Sequence, residues 1–163
     1  MSINIVLVEP EIPQNTGNIV RLCVATNSKL HLIKPFGFSV SDKHLKRAGL
    51  DYWNLAEINY YESLKDFFDK NKSANLFYST TKAANTYTSM EYKENPFILF
   101  GKESKGLPEE LVRNNEKNSI RIPIAEKMRS LNLSNSVAIV VYEILKQDDF
   151  KGLVKKGNLT KHI

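Results

Sequence analysis

The chain is poor in cysteine and histidine, short of acidic residues, and without any long apolar run. Cys23 is the sole cysteine among 163 residues, which excludes an internal disulfide and with it the disulfide-stapled secreted scaffold. Its neighbours Ile19, Val20, Leu22 and Val24 place it on an apolar helix face rather than in a reactive thiol site. His31, His44 and His162 have no metal-binding spacing and no thiol partner beyond Cys23, so no metal site is expected. The apolar stretches 97–100 and 137–142 fall far short of the about 20 residues that span a bilayer. The opening residues lack a basic segment and their apolar run stops at Glu9, so no signal peptide is expected. These absences predict a soluble, cytoplasmic, reduced-compartment protein. Asp and Glu number 18 against 23 Lys and Arg, a net charge of +5. That excess favours a polyanionic partner without identifying one.

What remains is ordinary globular usage: 42% hydrophobic and 25% charged residues, which argues against disorder, collagen and coiled coil. The length suits one domain, with its core at about residues 3–147 and a polar, basic tail over 148–163 that is expected to fray or dock loosely. Short β-branched or aromatic runs at 4–8, 29–34, 58–61, 75–79, 97–100 and 119–122 alternate with segments of helical period. That alternation predicts an α/β fold with a mostly parallel sheet flanked by helices. Helices are expected from near Asn15, from Ser41 through Leu45, from Ser63 (burying Leu64, Phe67 and Phe68), from Pro108, and from a Ser134 cap. The last carries Val137, Ile139, Val140, Val141, Ile144 and Leu145, apolar on more than one face, and so belongs in the core or at a subunit interface.

The usual nucleotide loops fail. After the first strand comes Glu9-Pro10-Glu11-Ile12-Pro13, with no G-x-G-x-x-G fingerprint. Gly101 and Gly106 have phosphate-loop spacing, but Leu107-Pro108 stands where Lys and Ser/Thr are required. No G-x-S-x-G elbow is present, which excludes an α/β-hydrolase. Three segments stay unexplained. In residues 10–21, two prolines and Gly17 stiffen a loop ahead of a helix, and Asn15, Asn18 and Arg21 recur every third residue. This is either an Asn cap followed by an exposed arginine or an anion site at a helix start. In residues 96–108, an apolar strand opens into a two-glycine loop and a proline-started helix. It is either a simple turn or a ligand loop at the carboxyl end of a parallel strand. In residues 121–137, Ser130, Asn132, Ser134, Asn135 and Ser136 crowd before an apolar helix. They suit a self-bonded turn or a small polar ligand equally.

Together, and in this order, the three segments resemble the motifs of the SPOUT superfamily, the knotted S-adenosyl-L-methionine-dependent RNA methyltransferases. The resemblance runs from Ile5 to Tyr142. It includes residues 45–53, which are similar to the minimal single-domain branch that methylates the ribose 2′-hydroxyl of the anticodon wobble cytidine or uridine in tRNA. The resemblance implies a C-terminal trefoil knot, an obligate homodimer, S-adenosyl-L-methionine as cofactor and no metal. It further implies the tRNA anticodon stem-loop, leucine tRNAs foremost, as partner, and neither DNA nor membrane. Carried over, it makes Gly101 and Ile122 backbone contacts to the adenosine, with Ser130 a further contact. Ser79 lines the same pocket, where the family carries an apolar residue such as leucine. Asn15, Arg21, Ser130 and Asn132 match catalytic positions, and Glu103 stands near them. A guanidinium is a poor base, so Arg21 is expected to anchor the target phosphate and acidify the hydroxyl. The proton would then pass to that phosphate or to water held by Ser130 or Asn132. Lys43, Lys46, Arg47, Lys102, Lys105, Lys127 and Arg129 are the candidate RNA-facing cations, and Tyr52 and Trp53 suit either base stacking or a dimer interface. Two other readings stay open: methylation of a different tRNA or rRNA nucleotide, and a non-catalytic RNA-binding protein of the same fold.

Overall fold

The computed structural model describes residues 1–39 and 52–159. The helix expected from Ser41, most of the stretch 45–53, His44 and the cations Lys43, Lys46 and Arg47 lie outside them. Seven parallel strands form one sheet: β1 (Asn4–Val8), β2 (Lys29–Ile33), β3 (Ile58–Tyr61), β4 (Leu76–Ser79), β5 (Asn85–Thr86), β6 (Phe97–Phe100) and β7 (Ser119–Arg121). Their spatial order is β3-β2-β1-β6-β4-β7-β5. The helices are α1 (Pro13–Thr26), α2 (Leu64–Lys70), α3 (Glu109–Arg113) and α4 (Leu133–Gln147). Among the described residues no helix is long and apolar enough to cross a membrane.

The period of two along each strand decides the layering. Ile5 and Leu7 of β1 join Leu30, Leu32, Ile98, Phe100 and Ile120 under α1 and α4. Val6 and Val8 face the other way, with Ile33, Tyr61, Phe67, Tyr78, Leu99 and Val112. A strand covered on both faces reads as a continuous apolar run, which is why β1 and β6 stand out in the sequence. The two-residue edge strand β5 was absent from the expected strands because it is short and polar. Asn85 secures it instead, its Nδ2 donating at 3.3 Å to the carbonyls of Glu116, Lys117 and Ser119.

Four expectations are corrected. Helix α1 begins at Pro13, not Asn15, and no side chain of its own caps it. Helix α4 is capped by Asn132, not Ser134: Asn132 Oδ1 accepts from Ser134 N at 2.9 Å and Asn135 N at 3.3 Å. Beneath α2, Phe67 is fully buried while Leu64 and Phe68 are half-buried. Beyond Gln147 the chain turns back, with Phe150 N donating to Leu145 O at 2.7 Å. Phe150 and Leu153 pack on the core beside α4, so the docked structure extends past residue 147.

Candidate active site

Parallel strands aim their carboxyl ends at one edge of the sheet, and the loops leaving β4, β6 and β7 meet there. They enclose a cavity of about 520 Å³ together with the start of α1. Its lining includes Ser79 at the end of β4, Gly101 and Glu103 after β6, Ile122 after β7, Ser130 and Asn132 before α4, and Asn15. Residues from four separate stretches, within 12–15, 79–82, 100–112 and 122–136, thus converge on one space.

Two carboxylates hold the walls in place by exchange. Glu103, on the loop after β6, accepts at Oε2 from Glu11 N at 2.8 Å. Its Oε1 accepts from Ile12 N at 3.1 Å and from Asn15 Nδ2 at 3.0 Å. It therefore takes the N-cap N–H of Ile12 and lies favourably in the field of α1. In return Glu11 accepts from Ser104 N and Ser104 Oγ, both at 2.9 Å. These hydrogen bonds hold the Glu11 carboxyl below its ordinary range. Glu9 and Lys102 join the same two loops at 2.6 Å. A third loop is locked on behind: Gly37 N donates to Pro10 O at 2.9 Å, and a Cβ on Gly37 would fall 2.7 Å from Glu11 Cα.

From Glu103 the polarity runs inward. Because Asn15 gives its Nδ2 to a carboxylate, its Oδ1 faces Asn132 and accepts from Asn132 Nδ2 at 2.9 Å. Asn132 Oδ1 is thereby turned to the first N–H groups of α4 and also accepts from Ser134 Oγ at 2.7 Å. One carboxylate orients two amides in sequence and ties α1 to α4 across 117 residues of chain. Asn15 is 4% exposed and carries a second N–H, so it is a fixed donor at the base of the cavity.

Arg21 is not among the cavity-lining residues. Steps of three residues drift about 60° around a helix, so the face expected to hold Asn15, Asn18 and Arg21 divides. Asn15 is buried, whereas Asn18 and Arg21 are exposed. The guanidinium lies 5.3 Å from the centre of the Tyr52 ring. The Glu11–Ser104 exchange has one sign in the sequence, a carboxylate held between two prolines. Ile12, Thr80, Thr81, Lys82 and Ile124 also line the cavity and had no motif to mark them. Among the described residues no group of His, Cys, Asp and Glu could hold a metal ion.

The model of the SpoU rRNA Methylase family matches residues 2–142. The chain is 51% identical to a Geobacillus stearothermophilus relative over 156 residues, covering 94% of this chain and 99% of that one. It is 46% identical to the tRNA (cytidine(34)-2'-O)-methyltransferase of Yersinia pestis, over 94% of this chain and 99% of that relative. A solved structure described as giving insight into 2-OH methylation of C/U34 on tRNA superposes with a TM-score of 0.86 at 36% identity, over 92% and 98% of the two chains. The AviRb methyltransferase of Streptomyces viridochromogenes, solved with AdoMet, shares the fold with a TM-score of 0.79 at 19% identity. With its sheet order, its loop-built cavity and these likenesses, the chain belongs to the SpoU methylase family.

Proposed function

We infer that this protein transfers a methyl group from S-adenosyl-L-methionine to the ribose 2′-hydroxyl of the anticodon wobble nucleotide, cytidine or uridine, of tRNA, leucine tRNAs foremost. The carrying observation is the cavity that joins the Gly101 loop to the Asn15–Asn132 pair, in a chain with full-length relatives of that name. A tRNA substrate supports a cytoplasmic location.

The residues fit the cofactor. A volume of about 520 Å³ lies within the about 300–1,000 Å³ usual for small-molecule sites. At Gly101 the backbone of Gly106 and Leu107 lies so close that no side chain fits, which leaves peptide groups facing a ligand. Gly101, Ile122, Ser79 and Ser130 would hold the adenosine portion. The bound cofactor supplies an electrophilic methyl group. The protein's own part is orientation: Asn15, fixed by Glu103, presents a donor, and Asn132 and Ser130 present polar groups to the ribose or to a proton-carrying water.

The proposal includes a homodimer with shared sites and a C-terminal trefoil knot. Support for sharing comes from Arg21, exposed on α1 and outside its own cavity. In a dimer it would anchor the target phosphate at the neighbouring copy's cavity and acidify the hydroxyl. Support for the knot comes from β7, inserted between β4 and β5, before the chain returns to pack α4 on α1. Nucleoside mass spectrometry of tRNA from cells lacking the protein tests the activity. The wobble 2′-O-methyl nucleoside should disappear and return with the wild-type chain; its persistence refutes the assignment.

A further inference from the structure

The cations around the cavity fall into two kinds. Lys102 is held by Glu9 at 2.6 Å, and Lys82 by Glu109 at 2.5 Å, a carboxylate that Arg113 also approaches at 3.4 Å, so each has an acidic partner within the protein. Lys105 and Arg129 line the same cavity from two different segments, both are exposed, and among the described residues neither makes an ion pair. Lys105 also borders a second recess of about 330 Å³ formed with Val8, Glu9, Lys82, Lys102 and Leu107. The carboxylates nearby are committed elsewhere. Glu103 serves Glu11 N, Ile12 N and Asn15, and both Glu11 oxygens accept from Ser104. Lys105 acts on Glu11 through its field alone.

Two uncompensated cations at one cavity suit a polyanion. They do not suit the methyl donor, whose sulfonium and ammonium outweigh its single carboxylate. We propose that Lys105 and Arg129 hold backbone phosphates of the RNA strand on either side of the methylated nucleotide, while Lys82 and Lys102 serve the walls. Arg129 offers a planar fork for two phosphate oxygens and Lys105 a point charge. This deepens the RNA methyltransferase reading and rests on it.

The test is binding of an anticodon stem-loop RNA to the full chain across a salt series, with S-adenosylmethionine titrated separately. Each phosphate contact contributes about 0.7–0.9 to the slope of log K against log salt. Lys105→Gln and Arg129→Gln should each lower the slope by about that amount and leave cofactor affinity within about twofold. Arg129→Lys should restore the slope but not the whole affinity. The charge-neutral double variant Glu9→Gln with Lys102→Gln should keep the wild-type slope. So should Lys72→Gln, an exposed lysine ahead of β4 at the other end of the strands. An equal loss of slope for Lys72→Gln would assign the effect to net charge and overturn the proposal. Weakened cofactor binding with the RNA slope intact would assign the cations to the cofactor carboxylate and overturn it too. Unchanged slopes in the two test variants, with RNA still bound, overturn the proposal and spare the reading. Absence of RNA binding by the wild-type chain overturns both.

Discussion

Gly101 has no room for a side chain. A Cβ there would lie 1.9 Å from the Gly106 carbonyl carbon and 2.1 Å from Leu107 N, and both are backbone, so the loop itself must move. Gly101→Ala should cost about 1–3 kcal/mol of stability and weaken S-adenosylmethionine binding at least tenfold, as read by calorimetry. On β2, His31 is buried, with Nδ1 at 2.9 Å from Tyr61 Oη and Nε2 at 3.1 Å from Asn4 Oδ1. Burial pushes its pKa from 6.5 down to about 4, so the unfolded chain takes up the proton first. The contribution of neutral His31 is full above about pH 6.5 and is lost as pH falls towards 4, about 3 kcal/mol in all. Urea denaturation from pH 7.5 to 4.5 should show that loss in the wild-type chain and a flatter profile in His31→Gln. The two differ in how the sequence marks them: Gly101 stands in a two-glycine loop that the resemblance assigns to the cofactor, whereas His31 is one of three isolated histidines with no motif around it.

At the scale of elements, the strands were legible because a strand buried on both faces has few sequence alternatives. Six of the seven were expected, within a residue or two at their ends. Helix starts were less legible. Ser134 and Asn15 are both good caps by residue type, yet Asn132 caps α4, and a carboxylate 91 residues from Ile12 accepts the N-cap N–H of α1. Asn132 therefore has two separable duties. Asn132→Ala should lose the cap, about 1 kcal/mol, together with most activity. Asn132→Asp keeps the acceptor for Ser134 N but loses the donor to Asn15 Oδ1. The cap should survive, but a carboxylate oxygen then faces Asn15 Oδ1, which Glu103 holds in place, so the melting temperature should fall by a few degrees and kcat at least tenfold. If Asn132→Asp is fully active, the Asn15–Asn132 bond has no part in catalysis.

At the scale of the whole molecule, Arg21 and Asn15 lie on one helix but do not share a cavity. If sites are shared between two copies, heterodimers of Arg21→Ala and Asn15→Ala chains should regain up to about half the activity per dimer, because one site inherits neither lesion. Sites built within one chain would leave the mixture as inactive as its parts. The steady-state methylation rate of co-expressed, separately tagged chains decides this.

Composition, apolar runs and spacing determined the α/β class and six of the seven strands and singled out three loops without assigning them, because burial and backbone preference act on neighbours in sequence. Resemblance to a family added the chemistry. The tertiary structure alone decided which carboxylate serves which loop, which cations remain uncompensated and which face of α1 meets the cavity. Those depend on groups about 90 to 120 residues apart in the chain, such as Glu11 with Ser104 and Asn15 with Asn132. Only a folded sheet brings such partners within hydrogen-bonding reach, and no local pattern of residues records it.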